Sequence, residues 1–145
     1  MDWKSVAMEK LRDHEAKRQA LESIPLELAQ VESSMTSIRS SRADGTPVKG
    51  GGSGYEDRML GLIVKKQELE DNLDRAQLCV DMVTGALQTL TQEERLILDR
   101  FYINAAKGNV DRLCGELCLE QSAVYRRKDA ALRKFTIALY GVTES

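Results

Sequence analysis

Aromatic side chains are scarce in this sequence, with one Trp, two Phe and four Tyr among 145 residues, and Pro occurs only twice. That composition, with 30% of residues charged, excludes a large globular enzyme core and suits long helices with narrow apolar seams. No apolar run approaches the roughly 18 to 20 residues needed to cross a bilayer. Asp2, Lys4, Glu9 and Lys10 stand where a signal peptide needs an apolar stretch. The expectation is a protein without membrane contact that stays in the cytoplasm where it is made. The three cysteines, Cys79, Cys114 and Cys118, cannot all pair within one chain, which suits a reducing compartment.

Net charge is nearly absent too. A formal charge of −2 excludes nucleic-acid binding through overall charge, so any such binding must come from local placement of Lys and Arg. Met1 to Leu90 holds 12 basic and 15 acidic residues. Gln121 to Ser145 holds five basic residues, Arg126, Arg127, Lys128, Arg133 and Lys134, against Asp129 and Glu144. The basic patch is C-terminal and short. Asp and Glu follow helical surfaces rather than converging with a nucleophile, and the single His, His14, is expected at the surface rather than as a base. Cys114 and Cys118, four apart, lack a second ligand pair, so packing is expected of them rather than metal ligation. The run Gly50 to Gly54 lacks the Lys-Ser/Thr of a phosphate-binding loop and reads as a linker. Neither enzymatic activity nor a cofactor nor a metal is expected.

What is present is heptad periodicity. Leu21, Ile24, Leu28, Val31, Met35 and Ile38 alternate steps of three and four, which keeps one narrow stripe on one helix face. A second stripe runs through Met59, Leu62, Leu69, Leu73, Ala76, Val80, Val83, Leu87 and Leu90, broken by Lys66 at one seam position. The stretch 40–54, rich in Gly and containing Pro47, loses too much backbone entropy to sit inside a helix and is expected to be a flexible connection. The simplest arrangement is an antiparallel hairpin whose longer second helix overhangs and leaves apolar surface for a partner. Pro25 is expected to kink the first helix or to open a new one after Ser23 or Ile24. Trp3, Val6, Ala7 and Leu11 would then form a separate N-terminal segment, with Lys10, His14 and Lys17 weakening its stripe.

Beyond Leu90 the register changes. Thr91-Gln92-Glu93-Glu94 has the capping-box form, so a helix carrying Leu96, Ile97, Phe101 and Tyr102 is predicted to start there and stop near Asn104 to Asn109. A short helix around Val110 to Leu117 and a long one from about Gln121 to Tyr140 follow, with Gly141 suited to a left-handed C-cap. The predicted fold is all-α: a long helical hairpin over 1–90, then a three-helix helix-turn-helix domain over 91–141.

On the last helix, Val124, Ala131, Leu132, Phe135, Ala138 and Leu139 share the predicted core face. The other side collects Ser122, Ala123, Arg126, Arg127, Ala130 and Arg133, with Lys134 at its edge. Small residues let such a face approach a major-groove floor, and Arg supplies a planar donor fork that matches guanine or phosphate oxygens. The candidate DNA-binding set is Gln121, Ser122, Ala123, Tyr125, Arg126, Arg127, Arg133 and Lys134. A plain solvated basic face is the competing reading of the same residues.

The stretch from Leu90 to Gly141 resembles the fourth conserved region of bacterial sigma factors, and Ala131-Leu132-Arg133-Lys134-Phe135 is similar to the Ala-Leu-Arg-Lys-Leu run that closes that motif. The whole chain, with its Gly-rich connection at Pro47 to Gly54 and its ending Ala138-Leu139-Tyr140-Gly141, resembles the ArpU/RinA-type transcriptional regulators of phages and prophages of Gram-positive bacteria. The resemblance implies an N-terminal helical segment joined to a sigma-like DNA-binding module that activates phage genes, often late ones, in a bacterial cytoplasm. It places Val124 at the buried position of the recognition helix and Tyr125, Arg126 and Arg127 on the stretch that meets DNA. Two residues depart from the pattern: Cys118 stands where the turn usually has Gly, and Glu120 where Ser or Thr usually caps the recognition helix.

The expected partners are double-stranded DNA, a second copy of the chain through the N-terminal helices, and bacterial RNA polymerase. Self-association follows because two half-sites multiply an affinity that one short basic helix leaves low. Two other classes fit the same features: a small DNA-packaging (terminase) subunit, and a sigma-like protein-interaction module that no longer binds DNA.

Overall fold

A computed structural model describes residues 1–43 and 51–144. Their regular structure is all-helical apart from one isolated bridge between Asp2 and Glu144. In chain order the elements are α1 (Trp3–Ala43), α2 (Gly51–Gln88), α3 (Gln92–Leu98), a π-helical turn (Asp99–Ile103), α4 (Asn109–Leu117) and α5 (Gln121–Tyr140). No described helix is long and apolar enough to cross a membrane.

Of the two effects expected of Pro25, a kink or a new helix, the new helix is not found: Pro25 lies inside α1, a single helix of 41 residues. Its ring removes one backbone hydrogen bond. Pro25 lies on the exposed side of the helix, where a freed carbonyl reaches water, and seam residues on both sides of it are partly or fully buried. The connection expected over 40–54 is also narrower, since α1 reaches Ala43 and α2 begins at Gly51. Glycine is tolerated in a first helical turn, whose N–H groups lack intrahelical partners in any case. The remainder of that expected connection, 44–50, lies outside the described residues.

The chain divides into two compact units, Gln19–Gln77 and Met1–Arg18 with Leu78–Ser145. In the first unit the heptad stripes carry the burial. Val31 and Met35 are buried, and Leu21, Ile24, Leu28 and Ile38 are partly so. Met59, Leu62, Leu69 and Leu73 on α2 are likewise partly buried. Lys66, the break in the second stripe, is partly buried as well, and its ammonium pairs with Glu32 of α1. That contact raises the Lys66 pKa and lowers that of Glu32. Lys65 and Glu27 form a second cross-helix pair at 3.5 Å.

The second unit does not follow the expected boundary at residue 90. Ala7 and Leu11 from the start of α1, and Val83, Ala86 and Leu90 from the end of α2, share a core with Leu98, Tyr102, Ala131, Leu132 and Phe135. Trp3 donates its backbone N–H to the Thr143 carbonyl at 3.1 Å and sets its ring 4.7 Å from that of Tyr140, which packs against this core. The N-terminal stretch is thus continuous with α1 and is part of the C-terminal unit's core, not a separate segment.

His14 is buried, with 7% of its surface exposed, rather than at the surface. The heptad continues backwards through it, and its ring occupies a seam position beside Val83 and Cys79 in a cavity of about 60 Å³. Its Nδ1 has no hydrogen-bond partner. A neutral imidazole tolerates that position far better than an imidazolium, and burial accordingly holds the His14 pKa below its ordinary value.

Candidate nucleic-acid interface

The candidate site begins with α3, which packs against α5. Thr91 accepts from the Glu94 backbone N–H at 3.2 Å while Glu94 accepts from the Thr91 N–H at 3.1 Å, completing the capping box read from the sequence. The helix then widens into the π-helical turn, closed by the Asn104 N–H donating to the Asp99 carbonyl at 2.7 Å. Asn109, expected only as a turn former, is buried, and its side-chain amide donates to the carbonyls of Arg100 and Asn104. Those bonds satisfy acceptors that the change of helical pitch leaves open.

Above it, α4 and α5 enclose a small core of Ile97, Leu113 and Val124, lined by Leu96, Phe101, Cys114, Leu117 and Leu119. Val124 is fully buried at the place the sequence assigned to it. The chain passes from α4 to α5 through Cys118, whose φ of 55° puts it in the left-handed region. Its backbone N–H bonds the Cys114 carbonyl. Side chains other than Gly pay for that conformation, which is why Gly is the usual residue at such a turn. Glu120 then occupies the N-cap position in an extended conformation and makes no side-chain capping bond. Its carboxylate is one carbon longer than the Asp that would fit there.

Each candidate residue of α5 has a distinct place. Gln121, Ser122, Arg126 and Arg133 are exposed, while Ala123 is half-buried. On a helix advancing about 100° per residue, Ser122, Arg126 and Arg133 share the outward face with Asp129 and Ala130. Among the described residues, neither Arg126 nor Arg133 engages a carboxylate. Tyr125 turns to one flank and sets its ring edge-on to Phe101 at 5.5 Å, leaving 40% of the residue exposed. Lys128 lies over both rings, 5.5 Å from Phe101 and 5.6 Å from Tyr125, and bonds Asp129 at 2.8 Å. Burial works to lower the Lys128 pKa, but the Asp129 carboxylate and the Tyr102 hydroxyl outweigh it and raise it.

Arg127 and Lys134 belong to the other flank and are already engaged. Arg127 Nη1 lies 2.5 Å from Glu93 Oε1, and Lys134 Nζ lies 3.2 Å from Glu94 Oε2. Burial pushes the Glu94 carboxyl upward, but the Thr91 backbone N–H and Lys134 outweigh it and keep it below the usual range. The structure therefore does not gather the expected basic set into one free patch. It leaves Arg126 and Arg133 outward and ties two other cations to α3. Glu93 was missed by sequence reasoning, because only the packing of α3 against α5 brings residue 93 to residue 127.

The core face of α5 also needs one exchange. Ala138 is exposed, and Thr136 is fully buried instead, its hydroxyl returned to the Leu132 carbonyl at 2.7 Å. That local bond satisfies the hydroxyl and allows Thr to occupy an apolar position.

No protein-family model, curated protein or solved structure matches this chain.

Proposed function

We propose that this chain is a sequence-specific DNA-binding transcription regulator, not an enzyme, in which α4 and α5 are the two helices of a helix-turn-helix and α5 is inserted in the major groove. The observation that carries the reading is the outward face of α5. Ser122, Arg126 and Arg133 stand exposed on one side of a helix whose other side is anchored by Val124, Ala131, Leu132 and Phe135. A rigidly held helix offering small residues and uncommitted guanidinium groups suits base-edge and phosphate contacts. The left-handed turn at Cys118 and the approach of α4 to α5 are consistent with that motif. The resemblance to ArpU/RinA-type regulators supplies the biological setting, activation of phage or prophage genes in a bacterial cytoplasm. On this reading, the seams of α1 and α2 form an antiparallel hairpin that serves self-association or a contact with RNA polymerase.

Fluorescence anisotropy with the DNA upstream of the neighbouring genes, against a scrambled duplex, tests the assignment. Arg126→Ala weakens specific binding by about 1–3 kcal/mol if Arg126 reads a base. An Arg126→Ala protein that binds as tightly as the wild type, with the same preference over scrambled DNA, removes Arg126 from the interface.

The engagement of Arg127 and Lys134 by carboxylates favours a second reading, a protein-interaction module that has lost DNA binding. Function retained after reversing the charges of Arg126, Arg127 and Arg133 together supports it.

A further inference from the structure

We infer that Glu93 occupies, in the free protein, the place on Arg127 that a DNA phosphate takes in the complex, so that this carboxylate sets the protein's affinity for duplex DNA. The inference rests on the DNA-binding reading of α5 and adds a residue of α3 to it. The two ion pairs that join α3 to α5 differ in kind. Glu94 is committed on both oxygens, one to the Thr91 backbone N–H and the other to Lys134, and its side chain is 15% exposed. It belongs to the cap that starts α3.

Glu93 has no part in that cap. Its side chain is 38% exposed and that of Arg127 51% exposed, so the pair can be exchanged from solvent without opening the core. A carboxylate and a phosphate offer guanidinium the same pair of acceptor oxygens. An exposed ion pair contributes little stability, so a duplex phosphate arriving beside α5 can displace Glu93. Opening the Glu93–Arg127 pair is a small cost that falls on every duplex whose phosphate takes that place, whatever its sequence.

Glu93→Gln removes the competitor while leaving Thr91 and Glu94 to cap α3. In the full-length chain, anisotropy titrations on native and scrambled duplexes are expected to show roughly two- to fivefold tighter binding of Glu93→Gln on both. Because the effect acts through Arg127, it disappears when the same substitution is made in an Arg127→Gln background. Unchanged affinity for Glu93→Gln, or a gain that persists without Arg127, overturns the inference while leaving the DNA-binding reading in place. Absence of duplex binding by wild type and variant alike at low salt overturns that reading, and the inference with it.

Discussion

Leu11 is ten residues from the N-terminus, yet it is fully buried among Val83, Leu98 and Phe135 in the core that also anchors α5. Leu11→Ala deletes three carbons. At about 0.8 kcal/mol for each, the transfer term is about 2.4 kcal/mol, and the residual cavity brings the loss to about 3–4 kcal/mol. A loss of that size consumes a large part of a domain's usual margin and lowers the midpoint of thermal unfolding by about 12–25 °C for a unit of this length. Trp3 is the only tryptophan and packs on Tyr140, so its fluorescence in a guanidinium titration reads this unit selectively. A change below about 0.5 kcal/mol, the size typical of a surface position, would show that the start of α1 is not part of the core. The same packing explains why a fragment beginning at Thr91 is a poor reagent: it lacks Ala7, Leu11, Val83, Ala86 and Leu90.

Two further outcomes are expected. Cys118→Gly relieves a left-handed conformation costing about 1–2 kcal/mol and gives back part of that as unfolded-chain entropy, leaving a net gain of about 0.5–1 kcal/mol in chemical denaturation; a destabilised variant would show that the Cys118 side chain makes a contact worth more than the strain. His14 has a folded-state pKa depressed below 6.5, first by burial, against the upward pull of Glu15 and Asp99 and with a further downward push from Arg18. The unfolded chain therefore takes up the proton first, so the stability His14 contributes is complete above pH 6.5 and is lost as pH falls below it. Denaturation midpoints between pH 7.5 and about 5 should fall for the wild type and stay flatter for His14→Leu, and parallel curves would assign the loss to other groups.

Much of this architecture was legible in the residue pattern because it depends on neighbours one or two helical turns away. Leu21 to Ile38 and Met59 to Leu73 are buried or half-buried at the heptad positions that periodicity marks, since a 3.5-residue repeat dictates which side of a helix can be covered. The cap at Thr91 and Glu94, the bounds of α5 and the left-handed Gly141 were likewise local matters. That no new helix opens at Pro25 was not legible, because the penalty of Pro25 is local whereas the packing that offsets it is spread along the seam. The burial of His14 was not legible because Cys79 and Val83, which lie beside it, are far from it in the sequence.

By itself, then, the sequence determined where α3 starts and where α5 starts and stops, which stripes α1 and α2 bury and which residues of α5 are basic. Only the tertiary structure decided that the first 18 residues join the C-terminal unit, that Asn109 is a buried bracket for the π-helical turn, and that Arg127 and Lys134 are held by Glu93 and Glu94 while Arg126 and Arg133 are not. The physical reason is range. Periodicity and capping are set within a few residues by backbone geometry, but a charge is free or neutralised according to what a distant helix brings beside it, and the spacing of residues along the chain carries no record of that approach.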